Sequence, residues 1–215
     1  MLTQFYDDLE TRTENERKKA ISKVLPVQIK NLQSLGGLKG IDSDMIDSVE
    51  ALKQLPVLRK SELREMQQKK PPFGGLVRGT IEHIFQSPGP IYEPGKDTHD
   101  WWRFGRFLHA SGVGRSDIVQ NCFSYHLTPA GMMFENGAKA VGATILPAGT
   151  GQTELQVQAA FDVGASVYAG TPDYLNTILE KSSEMGLKLS YSKAVVSGGA
   201  LFPSLRESYL ARGIN

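Results

Sequence analysis

Five short β-rich runs separated by helix-length amphipathic segments constrain this chain more than any other feature. They read TIEHIFQ (80–86), DIVQNCF (117–123), ATILPA (143–148), ASVYAG (165–170) and KAVVSG (193–198). Between them lie helical patterns. THDWWRFGRFLHASG places Trp101, Phe104 and Leu108 on one face and ends at Gly112. TPAGMMFENGAKAVG opens on Thr128 and Pro129. TPDYLNTILEKSSEMG opens on Thr171 as N-cap with Pro172 at the first helical position, carries Leu175, Ile178, Leu179 and Ser182 in one stripe, and stops at Gly186. Strands joined through helices of this length pair in parallel by right-handed crossovers, which puts helices on both faces of the sheet. The expected fold class is α/β, a doubly wound, mostly parallel sheet with flanking helices.

The texture changes near residue 72, so two parts are expected: a helical N-terminal region over 1–71 and an α/β subdomain over 72–215. In the first part TENERKKAISKVLPVQIKNLQ has Ile21, Val24, Leu25 and Ile29 at helical spacing, with Pro26 expected to break or kink it. SVEALKQLP begins like a capping-box helix and stops at Pro56, and KSELREMQQKK forms a third helix with Ser61 as cap.

Composition sets what the chain can recognise. With 215 residues, 40% of them hydrophobic, there is enough chain for a substantial core. The 24 basic and 23 acidic residues leave a charge of +1, which provides no field to steer the protein to nucleic acid or an anionic membrane. Small molecules are the expected partners. Cys122 is the only cysteine, which excludes an internal disulfide and fits a reducing, cytoplasmic setting; its apolar strand makes it a buried thiol. No apolar run is long enough to span a membrane. His83, His99 and His109 show no metal-ligand spacing, so no metal site is expected.

Ligands of an open parallel sheet bind outside the carboxyl ends of its strands. The strand-to-helix turns read QSPGPIYEPG, SYHLTPAG, PAGTGQTE, AGTPDY and SGGALFPS. Glycine beside Ser or Thr lets a ligand approach the backbone, although turn and cap geometry favour the same residues in any α/β protein. From this topology Tyr125, Gly131, Gly151, Thr171, Gly198, Gly199 and Ala200 are expected at one end of the sheet.

The order of these segments is more specific than any one of them. LPVLRKSELREM, a Ser-, Gly- and Pro-containing loop after a strand, NGAKAVGATILPAGTGQTELQV, GTPDYL and AVVSGGALFPSLRE follow one another. This order resembles the phenylacetate-coenzyme A ligase branch of the adenylate-forming, AMP-binding enzymes, over nearly the whole chain. The resemblance implies a ligase that activates an aromatic carboxylic acid with ATP to an acyl-adenylate and transfers the acyl group to coenzyme A. Mg2+ is implied with ATP. It also implies nucleotide contacts at Ser87, Gly89, Gly198, Gly199 and Ala200, and a substrate pocket at Tyr125, His126, Thr128, Gly131, Gly151 and Thr171. Tyr125 stands at the aromatic position of the acid pocket; its ring equally suits packing on the top of the sheet. His126 is read as lining the pocket and not as a catalyst, and Thr128 and Thr171 first as helix caps. The catalytic residues stay unassigned.

Two departures from the family pattern qualify these implications. The family's phosphate loop reads Ser-Ser-Gly-Thr-Thr-Gly-Lys-Pro, and the matching stretch here, Gln86–Pro94, keeps Ser87, Gly89 and Pro94 but has Pro90, Ile91, Tyr92 and Glu93 in place of the hydroxyls and the cation. Proline offers no N–H and a carboxylate repels phosphate, so this loop reads as a rigid, low-donor one with Glu93 facing solvent. Secondly, the family's motifs beyond the SGGALF turn have no counterpart before Asn215, so the chain reads as the N-terminal portion of a ligase and as catalytically incomplete by itself. A non-catalytic relative that binds an adenylate or acyl group, and an unrelated doubly wound enzyme, are the alternatives. The chain is compatible with a homodimer.

Overall fold

A computed structural model describes residues 4–215. The chain divides into two compact units, one spanning Asp7–Lys96 and the other Asp97–Asn215 together with the described N-terminal residues up to Tyr6. No helix of the described residues is long and apolar enough to cross a membrane.

In the first unit, Thr13 starts helix α1 (Glu14–Ser34) with a reciprocal capping box: Glu16 N–H donates to Thr13 Oγ1 at 3.3 Å and Thr13 N–H to Glu16 Oε2 at 2.7 Å. The helix continues through Pro26, contrary to the expected break. The proline removes one hydrogen bond from a 21-residue helix, and the remainder of the ladder carries it. The SVEALKQLP segment is only a 3-10 turn at Ala51–Gln54. It packs in a small core of Ile29, Ile46 and Ala51 with Leu38, Ile41 and Leu55 against it. Helix α2 (Lys60–Lys69) starts one residue before the expected cap: Ser61 lies inside it, and Glu62 reaches back to accept from Arg59 N–H at 2.9 Å. Strands β1 (His83–Ser87) and β2 (Ile91–Gly95) pair antiparallel as a hairpin, with Ser87 opposite Ile91. The first β-rich run therefore stands outside the parallel sheet, because only three residues separate it from its partner and a crossover needs a dozen or more. Gln67 fastens the hairpin to α2: its Nε2 donates to Tyr92 O at 2.7 Å and its Oε1 accepts from Tyr92 N–H at 2.9 Å.

The second unit holds the other four runs as β3 (Ile118–Asn121), β4 (Thr144–Leu146), β5 (Val167–Gly170) and β6 (Lys193–Val196), all parallel, in the order β4-β3-β5-β6. Their side chains alternate between two cores. On one face Val119, Val167, Ala169 and Val195 pack with Leu108 of α3 (Gly105–Ala110) and Phe134 and Ala138 of α4 (Ala130–Ala140). On the other, Tyr168 and Cys122 pack with Val157 and Ala160 of α5 (Thr153–Val163), Leu175, Ile178 and Leu179 of α6 (Pro172–Glu184) and Tyr209 of α7 (Pro203–Ala211). The α/β, doubly wound, parallel fold read from the sequence is the one observed. The α6 stripe Leu175, Ile178, Leu179 and Ser182 is buried, and Gly186 takes the left-handed turn that ends the helix (φ +68°). Helix α3 is shorter than expected and leaves Trp101 outside it, 41% exposed.

The base of the sheet is tied by one buried carboxylate. Asp117 accepts from Lys193 Nζ through both oxygens at 2.9 Å, from Gly114 N–H at 2.9 Å and from Ser166 Oγ at 2.9 Å. At β6, Asn215 N–H donates to Ser192 O at 3.0 Å and Asn215 O accepts from Ala194 N–H at 2.8 Å, the bond pattern of a parallel pair.

Candidate functional site

The winding reverses between β3 and β5: the chain leaves β3 through α4 on one face and leaves β5 through α6 on the other. Such a reversal opens a crevice above the carboxyl ends of the two strands. The turns after β3, β4, β5 and β6, which hold Tyr125, Gly131, Gly151, Thr171 and Gly198–Ala200, all leave that same end of the sheet.

Asn121, the last residue of β3, organises the first turn. Its Nδ2 donates to Tyr125 OH at 2.8 Å and to Gly131 O at 2.7 Å, while its Oδ1 accepts from Phe123 N–H at 3.2 Å. Burial, reinforced by the carboxylate of Glu135, holds the Tyr125 phenol well above its ordinary pKa, so it is neutral near pH 7 and keeps its proton as a donor. Gly131 sits flat against the Tyr125 ring: a Cβ there would meet ring carbons and Ser124 O at 2.8 Å. His126 is exposed, and only its backbone takes part, donating to Ser124 Oγ at 3.1 Å. Thr128 is not the cap of α4; Pro129 holds that position, and the turn is shaped by Leu127 in the left-handed region (φ +62°).

The second turn, Gly149–Gln152, folds through three left-handed residues, Gly149 (φ +68°), Gly151 (φ +78°) and Gln152 (φ +49°). Two glycines meet this demand without strain. Gln156, one turn into α5 and 5% exposed, gathers the loop from below: its Nε2 donates to Gly151 O at 2.7 Å and Gly149 O at 3.0 Å. Tyr174 of α6 adds a bond from its hydroxyl to Gly151 O at 3.0 Å. On its other side Gln156 Oε1 accepts from Gln120 Nε2 at 3.0 Å and from Cys122 Sγ at 3.3 Å, and Gln120 Oε1 accepts from the Tyr191 hydroxyl. Burial pushes the Cys122 thiol up to about 12, so it is not a thiolate nucleophile at neutral pH.

Thr171 is the N-cap of α6 by backbone geometry alone; its side chain makes no cap bond, and Tyr168 OH donates to its carbonyl at 2.9 Å. Gly198 and Gly199 are exposed, and a methyl on Gly198 would lie 3.7 Å from Thr171 Cγ2 and 4.0 Å from Phe123 Cε1. One on Gly199 would lie 3.2 Å from Pro172 Cδ. The turns after β3, β5 and β6 therefore come together at Gly198, and Gly199 and Ala200 beside it are exposed. Sequence reading had missed Asn121, Gln120, Gln156 and Tyr174. Its available signal was the pair of amides, Gln120 and Asn121, inside the otherwise apolar run DIVQNCF.

Ser87 and Gly89 belong to the other unit and to a different local structure. The QSPGPIYEPG stretch is a hairpin, not a strand-to-helix turn, and Gly89 is at its tip (φ +149°). Ser87 Oγ donates to Glu93, which is half-buried by this contact and does not stand free in solvent as expected. With Pro88 and Pro90 lacking N–H groups and the Ser87 hydroxyl engaged, the hairpin offers few donors to a triphosphate. Among the described residues no group of three or more His, Cys, Asp or Glu is placed to hold a metal ion by itself.

No family model matches the chain. Curated relatives do. The chain is 30% identical over 158 residues to a phenylacetate-coenzyme A ligase of Aromatoleum evansii, covering 69% of this chain and 35% of that protein. It is 28% identical over 180 residues to the phenylacetate-coenzyme A ligase of Thermus thermophilus, covering 78% of this chain and 40% of that one. This chain is similar to phenylacetate-coenzyme A ligases. It spans well under half the length of these relatives. Among solved structures, 2-hydroxyisobutyryl-CoA ligase in complex with 2-HIB-AMP in its postadenylation state aligns with a TM-score of 0.81 at 23% identity, over 93% of this chain and 47% of that one. The open conformation of that ligase, in complex with 2-HIB-AMP and CoA, aligns with a TM-score of 0.83 over 95% of this chain and 53% of that one. The chain thus shares the fold of the corresponding part of 2-hydroxyisobutyryl-CoA ligase.

Proposed function

We propose that this chain forms part of an AMP-forming acyl-coenzyme A ligase that activates an aromatic, phenylacetate-like acid. In that reaction a carboxylate oxygen attacks the α-phosphorus of ATP and pyrophosphate leaves; the coenzyme A thiol then attacks the acyl carbon and AMP leaves. The observation that carries the reading is the meeting of the β3, β5 and β6 turns above the switch point, in a chain similar to phenylacetate-coenzyme A ligases.

The residues divide the work by their chemistry. Gly198, Gly199 and Ala200 present bare backbone against which a flat adenosine packs, at the side of Thr171. Tyr125 supplies an aromatic wall for the acid, its neutral hydroxyl fixed by accepting from Asn121 and by its hydrogen bond with the Glu135 carboxylate. Gly151 admits the acid by leaving space, Gly131 makes room for the Tyr125 ring, and His126 and Thr128 line the rim.

Titrating the chain separately with AMP and with phenylacetate tests this. AMP binding is expected to weaken at least tenfold in Gly199→Val, and phenylacetate binding in Tyr125→Ala. Binding of neither ligand to the unaltered chain overturns the proposal.

A further inference from the structure

We infer that Gln156 is a positioning residue that sets the conformation of the Gly149–Gln152 turn, and that the buried amide of Gln120 fixes which way round Gln156 points. The inference deepens the reading of this turn as part of a ligand site, but its argument is independent of any ligand.

A loop that places Gly149, Gly151 and Gln152 in the left-handed region turns its carbonyls inward, and buried carbonyls need donors. Gln156 Nε2 stands 2.7 Å from Gly151 O, 3.0 Å from Gly149 O and 3.4 Å from Ala148 O, so one NH2 group serves the whole turn. Only the amide nitrogen can do this; the amide rotated by half a turn would aim oxygen at three carbonyls. The other side of the amide excludes that rotation. Gln156 Oε1 accepts from Gln120 Nε2 and from the Cys122 thiol, and Gln120 is itself oriented because its oxygen takes the Tyr191 hydroxyl proton. Burial keeps the Tyr191 phenol protonated near neutral pH, so it has a proton to give to Gln120 Oε1. Order therefore passes from Tyr191 through Gln120 and Gln156 to the turn, entirely through side chains at most 7% exposed.

The test reads the turn itself, by amide hydrogen exchange at Gly149, whose N–H donates to Asn121 O at 2.9 Å. Gln156→Leu keeps the volume and removes the donors; Gly149 exchange is expected to accelerate by roughly tenfold while the amide of Leu175 in the core is little changed. Because a leucine could also disturb packing, Gln156→Glu supplies a second readout. The carboxylate keeps the acceptor for Gln120 but repels the turn's carbonyls; when acidified it regains one donor. Exchange at Gly149, corrected for its intrinsic pH dependence, should be fast near pH 8 and return toward the unaltered protein's protection as the pH falls to about 5. Side-chain packing alone would give no such reversal. Unchanged Gly149 protection in both variants, or a Gln156→Glu effect that does not vary with pH, overturns the inference. Failure of the ligand site instead shows as absent AMP and phenylacetate binding to the unaltered chain.

Discussion

Gly131 has no room for a side chain, and the reason is Tyr125. A Cβ at 131 would come within 2.8 Å of the tyrosine ring and of Ser124 O, and neither can retreat while Asn121 holds both the phenol and the Gly131 carbonyl. Gly131→Ala is therefore expected to cost about 1–3 kcal/mol in urea unfolding, the range of overpacked cores. Asp117 makes a second prediction at this scale. Burial works against its charge, but the bonds from Lys193, Gly114 and Ser166 outweigh it and lower its pKa below the ordinary 3.8. The stability it contributes is complete above the unfolded value and disappears as the pH falls through the lower folded one. The stability gap between the protein and Asp117→Asn should be constant from pH 7 to about 5 and narrow only below about 4, as followed by denaturant midpoints at each pH.

At the scale of elements, the hairpin and the parallel strands show how loop length chooses pairing. Ser87 and Ile91 are opposite each other with three residues between, and the bond from Ser87 to Glu93 fixes the register from the side chains. Glu93→Gln retains an acceptor for that hydroxyl and removes the charge. Affinity for ATP in the presence of magnesium is then expected to rise about fivefold, the effect of relieving roughly 1 kcal/mol of repulsion at a solvated 4 Å separation. Unchanged affinity in an ATP titration would place the triphosphate away from the hairpin. In α6, the fully buried Leu175 carries one of the two cores, and Leu175→Ala should cost about 2–5 kcal/mol, read from the same unfolding curves.

For the whole molecule, the exposed edges decide its behaviour in solution. β6 is an edge strand of the sheet, and beyond the pair made by Asn215 it presents backbone that another strand can add to. The net charge of +1 gives little repulsion to oppose such pairing. Sedimentation should show concentration-dependent self-association, reduced by Ser197→Lys, which puts a charge at the exposed end of that edge. A monomer at all concentrations would mean the edge is already protected.

Much of the sheet was legible in the sequence because its signals are local. Val119, Val167 and Val195 sit in short apolar runs, and helix-length connections between such runs permit only parallel crossovers, so the α/β class and the common end of the turns follow without coordinates. Pro172 and the Leu175–Ser182 stripe mark α6 in the same way. The conspicuous Ser, Thr and Gly turn residues pointed to the right loops for the same local reason, but not to what holds them. Gln120 and Gln156 are 36 residues apart, and Tyr191 lies 71 residues from Gln120. No periodicity records such pairs. Whether a buried amide is a flaw or a clamp depends on which partners the packed sheet brings within 3 Å of it, and that is decided only by the tertiary structure. The QSPGPIYEPG stretch illustrates the same limit: its prolines were visible as missing donors, but the Glu93 contact that turns it inward needed β2 laid back on β1.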